Sequence, residues 1–281
     1  MRKILIPTDF SETSMNAIVY AMELFKYEHA DVLLMNAFAD DVYENTQEMS
    51  QDFFEQYKEK AEDATNRLLR KAVAEVLEKF HNPKHMYNYV AKFGSLVDVV
   101  NELVDKLNVD VVVMGTKGKS NKSDVTFGSQ TLQVIKYVKC PVLAVPVGFH
   151  GYSSKNILFP TDYMIPFQRR ELKLASTIAS RHTSKTHFLY VSNTAELSQR
   201  QKDNRMLAMC CYNDDMASYL QETGADVTET INKTIAERSI EMLVMVNHRH
   251  SYLENILYRS TIEKIGLDIS IPFLVLQNLP R

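Results

Sequence analysis

The sequence predicts two tandem α/β domains, each built on an open parallel sheet. Three observations carry this. Short apolar runs alternate with stretches of helical spacing, as parallel strands joined by right-handed helical crossovers require. The run ILIPTD at residues 4–9 returns as ILFPTD at 157–162, a displacement of 153 positions. Near the other end, VDVVVM at 109–114 returns as IEMLVM at 240–245, and PVL at 141–143 as PFL at 272–274, both displaced by 131 positions. A repeat this long is a duplicated domain, because solenoid units span only about 20–50 residues.

Taken in order, Lys3 to Pro7 is a short branched strand closing on Pro7-Thr8-Asp9. Ala17, Ala21 and Leu24 then share one helical side, behind Ser11 and Thr13 as capping hydroxyls. Val32 to Asn36 is a second strand, and residues 48–80 a long charged helix carrying Phe53, Phe54, Tyr57, Leu68, Leu69, Val73, Val76 and Leu77. Its length could cover a ligand mouth or meet another protein. Met86 to Val90 is a third strand, and Leu96, Val99, Val100, Leu103 and Leu107 have helical spacing. Val109 to Met114 is almost wholly apolar, the mark of a strand covered on both faces. A polar loop, a helix near 127–138 and a strand at 141–145 complete the first domain. The predicted domains are 1–149 and 154–281, joined through the stretch Gly148 to Ser154. The two displacements differ by 22 positions, so the second copy is shorter between them. The place for that loss is the long helix, whose counterpart lies near 196–214.

Composition narrows the function classes. A chain of 281 residues, 45% hydrophobic and 24% charged, buries a real core and is neither fibrous nor disordered. Residues 1–150 hold 17 basic against 21 acidic side chains, and the remainder 15 against 14. Neither half has the positive excess that a nucleic-acid backbone attracts. The opening segment turns polar after Pro7, too early for a signal peptide, and no apolar run approaches about 20 residues. The expectation is a soluble, cytoplasmic protein without membrane association. Cys140, Cys210 and Cys211 form no disulfide framework; each is expected to be buried in or beside an element.

In open α/β sheets, ligands settle beyond the carboxyl ends of the strands. The first half places Pro7-Thr8-Asp9 after one strand, Gly115-Thr-Lys-Gly118 after another, and Gly128-Ser129 at a helix start. Glycine permits positive φ and close backbone approach, and a helix N-terminus aims unpaired N–H groups at an anion. Ser129 and Thr131 add hydroxyls; Lys117, Lys119 and Lys122 add local positive charge. The plainer alternative is that Gly115 and Gly118 shape a strand exit, Gly128 opens a helix and Asp9 caps one. The sequence lacks G-x4-G-K-[ST] and an early G-x-G-x-x-G, which removes the P-loop and the dinucleotide fingerprint.

The spacing Gly115-x2-Gly118-x9-Gly128-Ser129, with the opening IPTD and the closing CPVLAVP at 140–146, resembles the universal stress protein family in its ATP-binding branch. The resemblance covers both halves, as a tandem protein with a Rossmann-like nucleotide-binding topology. It implies ATP or a related adenine nucleotide as ligand, with magnesium able to accompany it. Its site residues would be Gly115, Gly118, Gly128 and Ser129 at the phosphates, Asp9 near the nucleoside and Ala37 at the adenine. Thr8 and Thr131 are plausible additions. It further implies that the last strands, near 142–145 and 273–276, pair the two domains within the chain. A homodimer or an unidentified protein partner is left open.

The second half departs from this motif. Val246, Arg249 and Arg259 stand for Gly115, Gly118 and Gly128, while Ser260 and Asp162 are retained. Val246 should resist positive φ, so this crevice is not expected to bind nucleotide in the same manner. His248-x-His250 reads as a solvated loop pair rather than a metal site. No general base paired with a nucleophile is evident, so no catalytic residue is assigned. The reading favours a nucleotide-binding stress regulator or adaptor over a slow magnesium-dependent ATP hydrolase, with a nucleotide-independent interaction scaffold as the other alternative.

Overall fold

The structure is a computed structural model describing residues 1–118, 127–152, 154–164, 166–167, 169–192, 196–212, 214–224, 226–248, 252–253 and 270–278. The chain divides into two compact units, one ending at Gly148 and the other beginning at Phe149.

In the first unit, β1 (Arg2–Pro7) leads to α1 (Glu12–Leu24) and β2 (Ala30–Ala37). Next come α2 (Ala39–Thr46), α3 (Gln51–Lys79) and β3 (His85–Lys92). The unit finishes with α4 (Leu96–Leu107), β4 (Val111–Gly115), α5 (Ser129–Tyr137) and β5 (Val142–Val145). The strand order is β3-β2-β1-β4-β5, all parallel, with Ile4 opposite both Val32 and Val111. Strands β4 and β5 are buried along their whole length, as their unbroken apolar runs require. Ser11, Ser50 and Ser95 each cap a helix by accepting from the backbone N–H three residues on. Within this unit, α2 is a short acidic segment that lacks a side-chain cap and was not read from the sequence.

The second unit repeats the plan with β6 (Asn156–Pro160), α6 (Arg169–His182), β7 (Lys185–Val191) and α7 (Gln199–Met209). It continues with β8 (Ala217–Glu222), α8 (Val227–Glu237), β9 (Met242–Asn247) and β10 (Phe273–Gln277). Its strand order, β8-β7-β6-β9-β10, matches that of the first unit element for element. The copy extends to single hydrogen bonds. Phe10 and Tyr163 both have left-handed backbone, at φ 62° and 54°. Each donates its N–H to the preceding threonine hydroxyl, at 3.0 and 3.1 Å. Thr8 and Thr161 donate their N–H to Met35 and Leu189, at 2.9 and 2.8 Å. The shortening falls where expected, with the 11-residue α7 standing for the 29-residue α3.

Cys140 is buried and its thiol is pushed up to about 12 by desolvation. Burial of the adjacent pair is corrected: Cys210 is exposed at the end of α7 and Cys211 half-buried, because that helix closes in a turn at the surface.

Candidate functional site

In the first unit the strand order reverses between β1 and β4, which opens a crevice beyond their carboxyl ends. The residues expected to form a site gather there. Asp9 Oδ1 accepts from Ser11 N at 3.0 Å and from Ser11 Oγ at 2.6 Å, so one oxygen orders the entry to α1. The other oxygen faces the loop after β4: a Cβ built on Gly118 would lie 3.0 Å from Asp9 Oδ2. Gly128 joins the same loop by donating its N–H to Thr116 O at 2.8 Å. A Cβ on Gly128 would stand 3.8 Å from Gly118 N. As N-cap of α5, Gly128 supplies no side-chain acceptor, and exposed Ser129 is the first helical residue. The first turn of α5 therefore presents its N–H groups to the crevice without a competing cap.

The glycines do not act through left-handed backbone. Gly128 has φ −66°, and among the described residues the positive-φ glycines are Gly94 and Gly148. Gly115 is needed for packing, since a Cβ there would meet Thr13 Cγ2 at 2.6 Å and Thr13 O at 3.2 Å. Its role is to let the first turn of α1 close on the end of β4. The two threonines are turned inward. Thr8 Oγ1 lies 2.9 Å from Ser14 Oγ, and Thr131 Oγ1 donates to Gly115 O at 3.0 Å. Both hold the walls of the crevice rather than project into it.

Ala37 sits where backbone groups become accessible to a ligand. Pairing of β1 with β2 stops at Pro7 opposite Met35, while β2 pairs with β3 as far as Ala37 opposite Lys92. Alternation puts the Ala37 N–H and C=O on the same edge of β2 as the Met35 carbonyl, the edge beyond which β1 has ended. Asn36 Nδ2 donates to Thr8 O at 2.7 Å and fixes the floor. Sequence reasoning missed Gln130, whose Nε2 donates to Asp40 Oδ2 at 3.1 Å and joins the first turns of α5 and α2. It also missed the aromatic group beside α2, where Tyr43 packs 5.6 Å and Phe54 6.0 Å from Phe93. Lys119 and Lys122 lie outside the described residues.

The corresponding crevice of the second unit is built differently. Asp162 Oδ1 accepts from Met164 N at 2.9 Å, the same turn as at Asp9. Burial pushes its carboxyl above the ordinary range, opposed by that N–H and by His248 nearby. Val246 fits because α6 begins seven residues after Asp162, whereas α1 begins three after Asp9. Among the described residues between Asp162 and Arg169 there is no helical turn like the one that crowds Gly115. Arg249, Arg259, Ser260 and His250 lie outside the described residues. No group of three or more His, Cys, Asp or Glu among the described residues is placed to hold a metal ion.

A family model described as the universal stress protein family matches residues 1–146 of this chain. The chain belongs to the universal stress protein family. Universal stress protein MJ0577 of Methanocaldococcus jannaschii is 29% identical over 157 residues, covering 51% of this chain and 94% of that protein. Universal stress protein MJ0531 of the same organism is 30% identical over 149 residues, covering 51% and 81%. A universal stress protein from Archaeoglobus fulgidus has the same fold along its length. It superposes with a TM-score of 0.69 at 17% identity, covering 98% of this chain and 96% of that one. This member is thus a tandem universal stress protein with two parallel-sheet units. Among its described residues no helix is long and apolar enough to cross a membrane.

Proposed function

We propose that the first unit binds ATP or a related adenine nucleotide and that the chain acts as a nucleotide-responsive stress regulator or adaptor. The observation that carries this reading is the convergence of Asp9, Gly118 and the uncapped first turn of α5 at the strand-order reversal. Phosphate oxygens would take the N–H groups after Gly128, with the Ser129 hydroxyl beside them. The base would meet the Ala37 peptide on the open edge of β2. Among the described residues no group of three or more His, Cys, Asp or Glu is placed to hold a metal ion, so a magnesium ion would be held mainly by the phosphates, with Asp9 beside them. Binding would stabilise this unit by mass action and bias a surface read by a partner.

Calorimetric titration with ATP, ADP, adenosine and inorganic phosphate tests the reading, with mass analysis of ligand released from the purified protein. One adenine nucleotide per chain, preferred over adenosine and phosphate, is the expected result. An empty first unit at millimolar nucleotide would reject it in favour of a nucleotide-independent scaffold.

A further inference from the structure

The second crevice holds a side chain at the end of β7, the place that corresponds to the end of β2 in the first. Registers fix the equivalence: Pro7 pairs with Met35 and Pro160 with Leu189, so Val191 at the end of β7 corresponds to Ala37 at the end of β2. Its N–H and C=O therefore point beyond the end of β6. Both are taken by one side chain. Tyr252 Oη donates to Val191 O at 2.7 Å and accepts from Val191 N at 3.3 Å.

The ring's surroundings belong to the same crevice. Tyr252 lines a cavity with Asp162, Phe167, Met245, Val246 and His248. The cavity left beside the ring measures about 30 Å³, room for about two waters. Burial, opposed by the Val191 hydrogen bond, holds the phenol above its ordinary range, so it stays a donor at neutral pH. At the displacement that relates β4 to β9, the position matching Tyr252 is Asn121, a residue with no ring to place there.

We propose that Tyr252 is a tethered occupant of the second crevice, and that the crevice is a latent site for a planar heterocycle carrying a donor beside an acceptor. The hydroxyl meets both the N–H and the C=O of Val191, which is the hydrogen-bonding demand such a heterocycle edge would satisfy. Phe167, Met245 and Val246 supply apolar walls for its faces. The retained turn at Asp162 keeps the floor of the site formed. The choice of an adenine compound as probe rests on the nucleotide reading of the first unit; the occupancy of the crevice by Tyr252 does not.

The test uses the full chain and adenosine, with Gly118→Val introduced to weaken the first unit. Adenosine binding and the backbone amide signal of Val191 are followed with and without Tyr252→Ala. The expected result is one adenosine per chain, bound at least tenfold more tightly when Tyr252→Ala is present, with the Val191 amide moving on addition. A folded Tyr252→Ala chain that takes up no adenosine at millimolar concentration and leaves that amide unmoved overturns the latent site. If Tyr252→Ala does not fold, Tyr252→Phe keeps the ring and removes the hydroxyl. Hydrogen exchange at Val191 should then quicken at least tenfold while the rest of β7 is unchanged; an unchanged Val191 overturns the occupancy. A parent chain that binds no ATP rejects the function proposed for the first unit, and the Val191 readout still decides this one.

Discussion

The crevice beyond β1 and β4 and the crevice beyond β6 and β9 share strand order, register, an aspartate turn and a left-handed aromatic residue. They differ in what reaches into them. In the first, side chains are withheld: Gly118 leaves space against Asp9, and Gly128 leaves a helix start uncapped. In the second, side chains are supplied. Tyr252 takes the Val191 peptide, while Gln201 and Asn204 of α7 donate to Asp162 O at 2.8 Å and to Tyr163 O at 2.7 Å. One backbone plan serves both because the sheet is stabilised by its buried strands. The crevice is then left to a few loop residues whose loss or gain leaves the core intact.

The largest effect that would break this comparison is expected at Gly115. Transferring the valine of the second unit, as Gly115→Val, forces a branched side chain against Thr13. It should destabilise the first unit by about 2–3 kcal/mol, as overpacking of a dense core does. Chemical denaturation measures it, and a change under about 0.5 kcal/mol would show that α1 yields readily. Next in size is Gly118→Val, which would press on Asp9 and fill the loop. ATP affinity should fall at least tenfold, about 1.4 kcal/mol, with the fold retained. Arg249→Ala should leave that affinity nearly unchanged. Equal losses in the two variants, by calorimetry, would mean that the crevices do not differ in ligand use.

A smaller effect sharpens the contrast between the aspartates. Burial raises the Asp162 carboxyl in the folded state, so the fold holds its proton over a range where the unfolded chain has lost it. Stability then declines as pH rises from the ordinary value, about 3.8, through the raised one. Asp162→Asn keeps an acceptor for Met164 N and should raise the melting temperature at pH 7, with the gain vanishing below about pH 4. A gain that persists at low pH would point to a cause other than ionisation. The smallest effect belongs to Gly128→Ser, where a Cβ meets only ordinary contacts, the nearest at 3.6 Å. The new hydroxyl should cap α5 and add a few tenths of a kcal/mol of stability. It should also weaken ATP binding by competing for the same N–H groups. Tighter binding would place the phosphates elsewhere.

Much of the fold was legible because its signals are local. The apolar runs of β1, β4 and β5 and the Ser11 cap of α1 each announce themselves within a few residues. The shortening between β7 and β8 followed from two displacements read along the chain. For the candidate site, the fold gathers the residues singled out in the sequence at one crevice, and their neighbours there are not the ones the residue types suggest. Gly115 has the residue type of a phosphate cradle, yet its reason is Thr13, about a hundred positions away in sequence and 2.6 Å from its would-be Cβ. Thr8 and Thr131 have the right hydroxyls, but the nearest partners are Ser14 and the Gly115 carbonyl. Tyr252 gave no signal because its partner is a peptide group, and backbone hydrogen bonding carries no residue-type signature. The α2 helix escaped notice because eight mostly polar residues with no side-chain cap have little periodicity to read.

The pair of hydrogen bonds from Tyr252 to Val191 has a consequence in terms of concentration. A diffusing ligand fills its crevice in proportion to its abundance and leaves when the solution is depleted. A group carried on the same chain has an effective concentration fixed by the length of the connection, 61 residues in sequence here, and it cannot be washed away. With a nucleotide in the first unit, as proposed above, dilution or dialysis would loosen that unit while leaving the second unchanged. One polypeptide would then contain both a variable quantity and the constant against which it is compared.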